Sequence, residues 1–267
     1  PATRRGKRGD ILVGDLVRLT LDASGQAVIE AASPRASVLM RAEGMREKAL
    51  AANIEQVAIV FAARPSFNPH FVWRALLAAH GADIEALAIL NKNDLPDLAA
   101  ERAFLAHLAA LGYKTLAVSA KLGADETRTS LLQVLRDRNT LLVGQSGMGK
   151  STLLNLLVPD AGARTQEISL RLNLGRQTTS SSRWFRLPGG GALVDSPGFQ
   201  SFGLRHLDER ALAAAMPELA RTAGQCRFAD CRHLDEPDCA VRTALARGEI
   251  EPARYAFYRQ VMAELRP

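Results

Sequence analysis

The stretch "LLVGQSGMGKSTLLNLL", residues 141–157, constrains the fold of this chain more than any other. Gly144, Gly149, Lys150 and Ser151 satisfy G-x-x-x-x-G-K-S, with an apolar run before the motif and a leucine-rich run after it. That context predicts a strand, a glycine loop and the start of a helix. Glycine lets the backbone of Gln145, Ser146, Gly147 and Met148 curl until successive amides point inward at phosphates, and the helix N-terminus adds its positive end. Lys150 would neutralise the β and γ phosphates of a nucleoside triphosphate. Ser151 would hold Mg²⁺ through its hydroxyl, and Thr152 completes the cradle. The loop by itself does not say which base.

Short apolar strands are expected at 57–63, 84–90, 115–119 and 140–144, alternating with Ala/Leu-rich helical stretches at 70–80, 97–111, 127–138 and 150–157. Such alternation means βαβ units and a parallel sheet covered on both faces. Two further strands, 183–187 and 191–195, flank the turn "PGGG". Ahead of this α/β unit, residues 10–31 alternate around a Ser-Gly turn and predict a hairpin in a small β unit. After residue 206 the chain reads as helical, then cysteine-rich, then helical again.

In "NKND" the carboxylate of Asp94 can accept two hydrogen bonds from the N1 and N2 donors of guanine. Adenine offers an acceptor at N1 and no exocyclic N2, and a buried acceptor facing an acceptor is costly, so discrimination reaches ~10⁴. Asn91 would bind N7 and brace the loop, while Lys92 lays its aliphatic stem over the base plane. "SAK", Ser119, Ala120 and Lys121, ends the next strand and offers a backbone amide to guanine O6. Singly these strings are weak, but they follow consecutive strands, where open α/β sheets bind ligands. An ATP-dependent kinase using only the phosphate loop is disfavoured by Asp94.

"DSPG", Asp195 to Gly198, follows an apolar strand and supplies a second switch: Asp195 reaches Mg²⁺ through water, and the Gly198 amide touches the γ phosphate. Between loop and strand lies "LGRQTTSSSR", which offers Thr178 or Thr179 to Mg²⁺ and the γ phosphate. Phe199 stands where regulatory GTPases keep a water-orienting glutamine, so unaided hydrolysis is expected to be slow, with Gln177, another part of the chain or a partner supplying the missing group. Base-reading motifs here precede the phosphate loop, the reverse of the ordinary GTPase order. The order is circularly permuted, which is feasible because domain termini usually lie close together on the surface.

All three cysteines lie between positions 226 and 239, an odd number that argues against a disulfide framework. Cys226, Cys231, His233 and Cys239 form C-x₄-C-x-H-x₅-C, which suits tetrahedral Zn²⁺ with no open position and hence a structural role. A short polar segment of this kind is expected to gain most of its order from the metal. Arg227, Arg232, Arg242, Arg247, Arg254 and Arg259 surround or follow it, consistent with phosphate contacts on RNA. Phe228, Tyr255, Phe257 and Tyr258 are read as helix core, and His70, His80, His107 and His206 as surface or packing residues. Net charge is +6 with a sequence pI near 9.6, which favours an anionic partner, most simply nucleic acid. No apolar run approaches the ~18 residues of a membrane span, and the basic N-terminus lacks the apolar centre of a signal peptide. A cytoplasmic, membrane-independent monomer is expected.

The permuted series "NKND", "SAK", "GQSGMGKS", "GRQTT" and "DSPG", followed by the Cys/His cluster, resembles the ribosome small subunit-dependent GTPase A family from about residue 9 onward. The resemblance implies three parts: an N-terminal OB-fold barrel over 1–48, a circularly permuted P-loop GTPase over 49–205 and a C-terminal helical zinc-binding domain over 206–267. It also implies GTP hydrolysis to GDP, stimulated by the 30S ribosomal subunit late in its assembly, with contacts to 16S rRNA. Family members carry further strands before the point where this sequence begins, so the barrel is expected to be truncated at its amino end. They tend to have His at the position of Gln177, which can orient a water yet cannot become a cation. A nucleotide-gated rRNA-binding module with vestigial hydrolysis is the alternative reading.

Overall fold

The computed structural model describes residues 2–4, 11–43, 46–159, 161, 182–196 and 201–265. Its centre is a six-stranded sheet with the order β10-β11-β9-β6-β7-β8. These strands are β6 (Gln56–Phe61), β7 (Glu85–Leu90), β8 (Lys114–Ala117), β9 (Asn139–Val143), β10 (Arg183–Arg186) and β11 (Ala192–Asp195). Every residue of β6 is buried, as a strand covered on both faces requires. All neighbouring pairs are parallel except β10 with β11, an antiparallel edge hairpin joined through Gly189, Gly190 and Gly191, all at positive φ. A parallel sheet places the ends of β6, β7, β8, β9 and β11 on one rim, and it is this rim that carries the motifs.

Helices α1 (Pro69–Gly81), α2 (Ala99–Ala110), α3 (Ala124–Val134) and α4 (Lys150–Leu157) link the strands. Asn68 caps α1 by accepting from the His70 amide, and Pro69 at the first helical position suits its fixed φ. α3 starts and ends earlier than the expected 127–138. Asp125 and Glu126 favour the positive end of a helix at that point, and Asp137 at φ 56° belongs to the turn before β9.

The expected hairpin is present as β2 (Val17–Leu21) and β3 (Ala27–Ala32), turned through Asp22, whose Oδ1 accepts from the Ser24 and Gln26 amides. β1 (Ala2–Arg4) adds to β3 in parallel. A second hairpin pairs β4 (Val38–Glu43) with β5 (Arg46–Ala52), beyond the one expected from the sequence; Leu39, Leu50 and Ala51 are buried against the α/β core. The C-terminal unit contains α5 (Glu209–Ala214), α6 (Pro217–Ala223), α7 (Ala240–Ala246) and α8 (Pro252–Leu265). One face of α8, Tyr255, Phe257, Tyr258, Val261 and Met262, is buried. None of the described helices is long and apolar enough to cross a membrane.

Candidate functional site

The phosphate loop leaves β9 at Gly144 and enters α4 at Lys150, with Gly144, Gly147 and Gly149 at φ 153°, 78° and 94°. Close approach also demands glycine: a Cβ would lie 2.4 Å from the Val60 carbonyl oxygen at Gly144 and 2.2 Å from Asn91 Nδ2 at Gly149. Lys150 Nζ donates to the Gly144 and Gln145 carbonyls at 2.6 and 3.0 Å, folding back across the mouth of the loop. Gln145 turns outward to accept the Asn68 amide at 2.6 Å, Ser146 stands exposed on the crest, and Met148 is buried as the anchor. Ser151 and Thr152 are exposed in the first turn of α4.

The base-reading segment is tied to this loop although it lies some fifty residues upstream. Asn91 is 1% exposed; its Nδ2 donates to the Met148 carbonyl at 2.9 Å, and its Oδ1 is buried without a partner. Lys92 sits at φ 59°, and its Nζ donates to the Gly147 and Arg64 carbonyls at 2.8 and 2.5 Å. Asp94 accepts from the Ser119 hydroxyl, so the motif after β7 is locked to the one after β8. Thr127 of α3 braces that second motif, its hydroxyl accepting the Ser119 amide at 3.1 Å and donating to the Ser119 carbonyl at 3.0 Å. A cleft of about 250 Å³ lies between the loops, lined by Asn91, Lys92, Asp94, Ala120, Lys121, Gly149 and Thr152 among others. Residues on either side of Lys150 thus face the same cleft as Asp94.

Asp195 ends β11, next to β9, and faces the phosphate-loop lysine. Burial pushes the Lys150 ammonium below its ordinary value, with Asp195 opposing. Burial likewise raises the Asp195 carboxylate, against the pull of Lys150 and Arg183. Each charge is therefore partly desolvated with no hydrogen-bonded counter-ion between them, a state that an incoming phosphate and cation would relieve. Gln177, Thr178, Thr179 and Gly198 lie outside the described residues.

At the metal cluster the four ligand atoms lie within 4.8 Å of one another. Cys226 Sγ and Cys239 Sγ are 3.9 Å apart, and each is 3.4 to 3.5 Å from His233 Nδ1. Tetrahedral zinc with bonds near 2.3 Å to sulfur and 2.0 Å to nitrogen sets S···S at about 3.8 Å and S···N at about 3.5 Å, so the donor set fits that ion. The segment is held by more than its ligands. Tyr255 and Tyr258 of α8 donate to the His233 and Arg232 carbonyls at 2.6 and 2.7 Å. Glu236 accepts the Arg232, Leu234 and Asp235 amides, which outweigh its burial and hold its carboxyl down at about 2. Packing and hydrogen bonds from α8 therefore hold the segment alongside its Cys/His cluster.

Two further expectations change. Arg254 is no RNA-facing cation: it is 1% exposed, its Nε bonds to Glu218 Oε1 at 2.5 Å, and its guanidinium lies 5.2 Å over the Trp73 ring. Phe228 is exposed rather than core, with Arg227 5.4 Å above its ring. Tyr255, Phe257 and Tyr258 are buried as expected, and His70 packs 5.3 Å from both Trp73 and Phe257.

Comparison with known proteins adds to this geometry. A sequence model described as RsgA GTPase matches residues 32–205. A Burkholderia pseudomallei protein named small ribosomal subunit biogenesis GTPase RsgA is 46% identical over 261 residues, covering 97% of this chain and 83% of the relative. The protein of that name from Paraburkholderia phytofirmans is 45% identical over 266 residues, covering 97% and 84%. Among solved structures, YjeQ from Thermotoga maritima superposes with a TM-score of 0.73 at 29% identity, over 99% of this chain and 89% of its own. YloQ, described as a circularly permuted GTPase, gives 0.70 at 27% identity, over 98% and 85%.

Proposed function

This chain belongs to the RsgA GTPase family, and from that premise we propose that the cleft between Asp94 and the phosphate loop holds GTP or GDP. The protein is a GTP-hydrolysing enzyme of ribosome biogenesis, acting on the small subunit as its relatives are named. The observation that carries the site assignment is the pair of bonds from Asn91 and Lys92 onto the Met148 and Gly147 carbonyls. They fix the distance between base pocket and phosphate cradle before any ligand arrives, which lowers the ordering cost of binding. Asp94 reads guanine N1 and N2, Asn91 lines the cleft with its Oδ1 unpartnered, and Lys150 takes the β and γ phosphates. Mg²⁺, held by Ser151, by Thr178 or Thr179 and through water by Asp195, would neutralise developing charge on the leaving phosphates.

Gln177 orients the attacking water and Gly198 donates to the γ phosphate in this reading, with the 30S particle stimulating turnover and 16S rRNA contacted by the basic C-terminal unit. The division into 1–48, 49–205 and 206–267, one structural zinc, a monomeric state and a cytoplasmic location complete it. Calorimetry with GDP and ADP tests the reading directly. We expect GDP to be preferred by ~10⁴, and Asp94→Asn, which replaces an acceptor by a donor at N1, to abolish most of that preference. Equal affinities in the unsubstituted protein would overturn it.

A further inference from the structure

The loop that follows β8 is held by a side chain from outside both base-reading motifs. Thr127, the fourth residue of α3, is 4% exposed. A threonine inside a helix ordinarily turns its hydroxyl back onto the carbonyl four residues earlier. Here the Gly123 carbonyl accepts the Thr127 amide at 2.9 Å, while the hydroxyl is directed at Ser119. It accepts the Ser119 amide at 3.1 Å and donates to the Ser119 carbonyl at 3.0 Å. One oxygen thus grips the two peptide planes on either side of a single Cα. The Ser119 carbonyl also accepts the Gly123 amide at 3.2 Å, so its direction toward α3 is fixed twice.

The orientation of that carbonyl sets the amide of the next residue. A trans peptide is planar, with its C=O and N–H pointing opposite ways. With the Ser119 carbonyl turned toward α3, the Ala120 N–H is turned away from α3, and Ala120 lines the cleft beside Asp94 and Lys121. Among the described residues no acceptor meets that amide. The Ser119 hydroxyl is occupied elsewhere: it donates to Asp94 and accepts the Leu122 amide at 3.3 Å. The grip of Thr127 therefore leaves the loop a free donor whose direction is set before a ligand arrives, which lowers the cost of using it.

We propose that Thr127 is a positioning residue for base selection. By gripping Ser119 it aims the Ala120 amide at guanine O6, the exocyclic position at which adenine carries a donor. A 6-amino base is thereby rejected by a second criterion, beside Asp94 with its reading of N1 and N2. The inference deepens the guanine-nucleotide reading of the cleft and rests on it, and its test separates the two.

Calorimetry compares GDP and ADP with IDP, which lacks the 2-amino group, and with 6-thio-GDP, in which a poorly accepting sulfur replaces O6. The unsubstituted protein should bind GDP on the order of tenfold more tightly than 6-thio-GDP, the worth of one well-placed neutral hydrogen bond. Exchange of its Ala120 amide, read by NMR, should slow when GDP is added. Thr127→Val keeps the shape and removes the hydroxyl; it should bring GDP to within about twofold of 6-thio-GDP and leave the ratio of GDP to IDP affinity unchanged. Thr127→Ser, which restores the hydroxyl, should recover the preference for O6. A merely structural role would lower the urea stability of Thr127→Val and move none of these ratios. The proposal is overturned by a Thr127→Val protein that keeps the preference over 6-thio-GDP or loses the IDP ratio with it, and by a Thr127→Ser protein that lacks that preference. It is equally overturned by an unsubstituted protein that binds 6-thio-GDP as well as GDP, or whose Ala120 exchange ignores GDP; these two measurements need no variant to fold. Equal affinity for GDP and ADP in the unsubstituted protein instead overturns the reading on which the proposal stands.

Discussion

Among the described residues, the Arg254–Glu218 and Lys150–Asp195 pairs of opposite charges are both partly or wholly taken out of water, and they are treated differently. Arg254 and Glu218 touch, among Trp73 and neighbouring helices, with a side-chain exposure of 1% and 4%. Tyr113, in the same environment, is pushed up to about 12 by burial. Lys150 and Asp195 feel each other across the mouth of the cleft without bonding, the lysine spending its donors on the Gly144 and Gln145 carbonyls. The first pair is bonded directly, Nε to Oε1, although Glu218 Oε2 and Arg254 Nη1 and Nη2 are buried without a hydrogen-bond partner. The second is left incomplete, its charges disfavoured by burial, a residual cost that a bound polyphosphate and its cation would remove.

The contrast can be broken most severely at Arg254. Arg254→Ala strands the Glu218 carboxylate in an apolar joint and should cost about 3–5 kcal/mol in urea unfolding. On the same scale Lys150→Ala should move stability by no more than about 0.5 kcal/mol, because it strands no carboxylate bonded to it. Comparable losses would mean that the two pairs are not different in kind. The complementary readout is chemical: single-turnover GTP hydrolysis should fall about 10²–10³-fold in Lys150→Ala, as for other donors to charge that develops in a transition state. A rate within a few-fold of the unsubstituted protein would remove Lys150 from the cradle.

The legible part of this protein is the part that glycine and carboxylate chemistry dictate. Gly144 and Gly149 must be glycine because backbone and amide atoms pass within 2.4 Å of where a Cβ would be, and the spacing of the motif records that fact directly. The base-reading strings and the Cys/His spacing are equally local. What was not legible depends on partners distant in sequence. Residues 38–52, rich in Arg, Glu, Lys, Ala and Met, have helix-forming propensity but pair as a hairpin because β4 and β5 are packed on the α/β core and joined by the strand from 201–203. The sequence alone groups Arg254 with its neighbouring arginines, since net charge carries no information on burial. A helical signal did exist: Arg254 shares a face with Tyr258, Val261 and Met262, at i+4, i+7 and i+8, which is the buried stripe of α8. Arg74 of α1 gave no such signal, because the acceptors of its guanidinium, the Phe202 carbonyl and Glu264, come from the far end of the chain.

A smaller effect sharpens the comparison at the bonded pair. If contact between Arg254 and Glu218 serves only to neutralise two buried charges, Arg254→Met together with Glu218→Leu should lie within about 1 kcal/mol of the unsubstituted protein, far above Arg254→Ala alone. A double variant as unstable as the single one would assign the joint a geometric role that apolar side chains cannot fill.

The smallest effect lies in the acid limb, where a paired and an unpaired carboxylate should have opposite signs. Asp15 is gripped by the Arg35 fork, Nε to Oδ1 at 2.7 Å and Nη2 to Oδ2 at 2.9 Å, and chiefly that hydrogen bonding holds its carboxyl below 3.8. Its contribution is complete above the unfolded value and is lost as pH falls through the lower folded value. Asp195 is the reverse, raised above 3.8 by burial, so its contribution is complete below 3.8 and is lost as pH rises through the folded value. At neutral pH, nucleotide-free Asp15→Asn should therefore be destabilised by about 1 kcal/mol, a penalty that shrinks on acidification. Nucleotide-free Asp195→Asn should be stabilised by less than about 1 kcal/mol, a gain that fades as pH falls through the folded value of Asp195. Urea titrations from pH 7 down to 3 measure both slopes. If the two variants ran parallel, Asp195 would be as well compensated as Asp15, and the cleft would hold no electrostatic cost for a nucleotide to relieve.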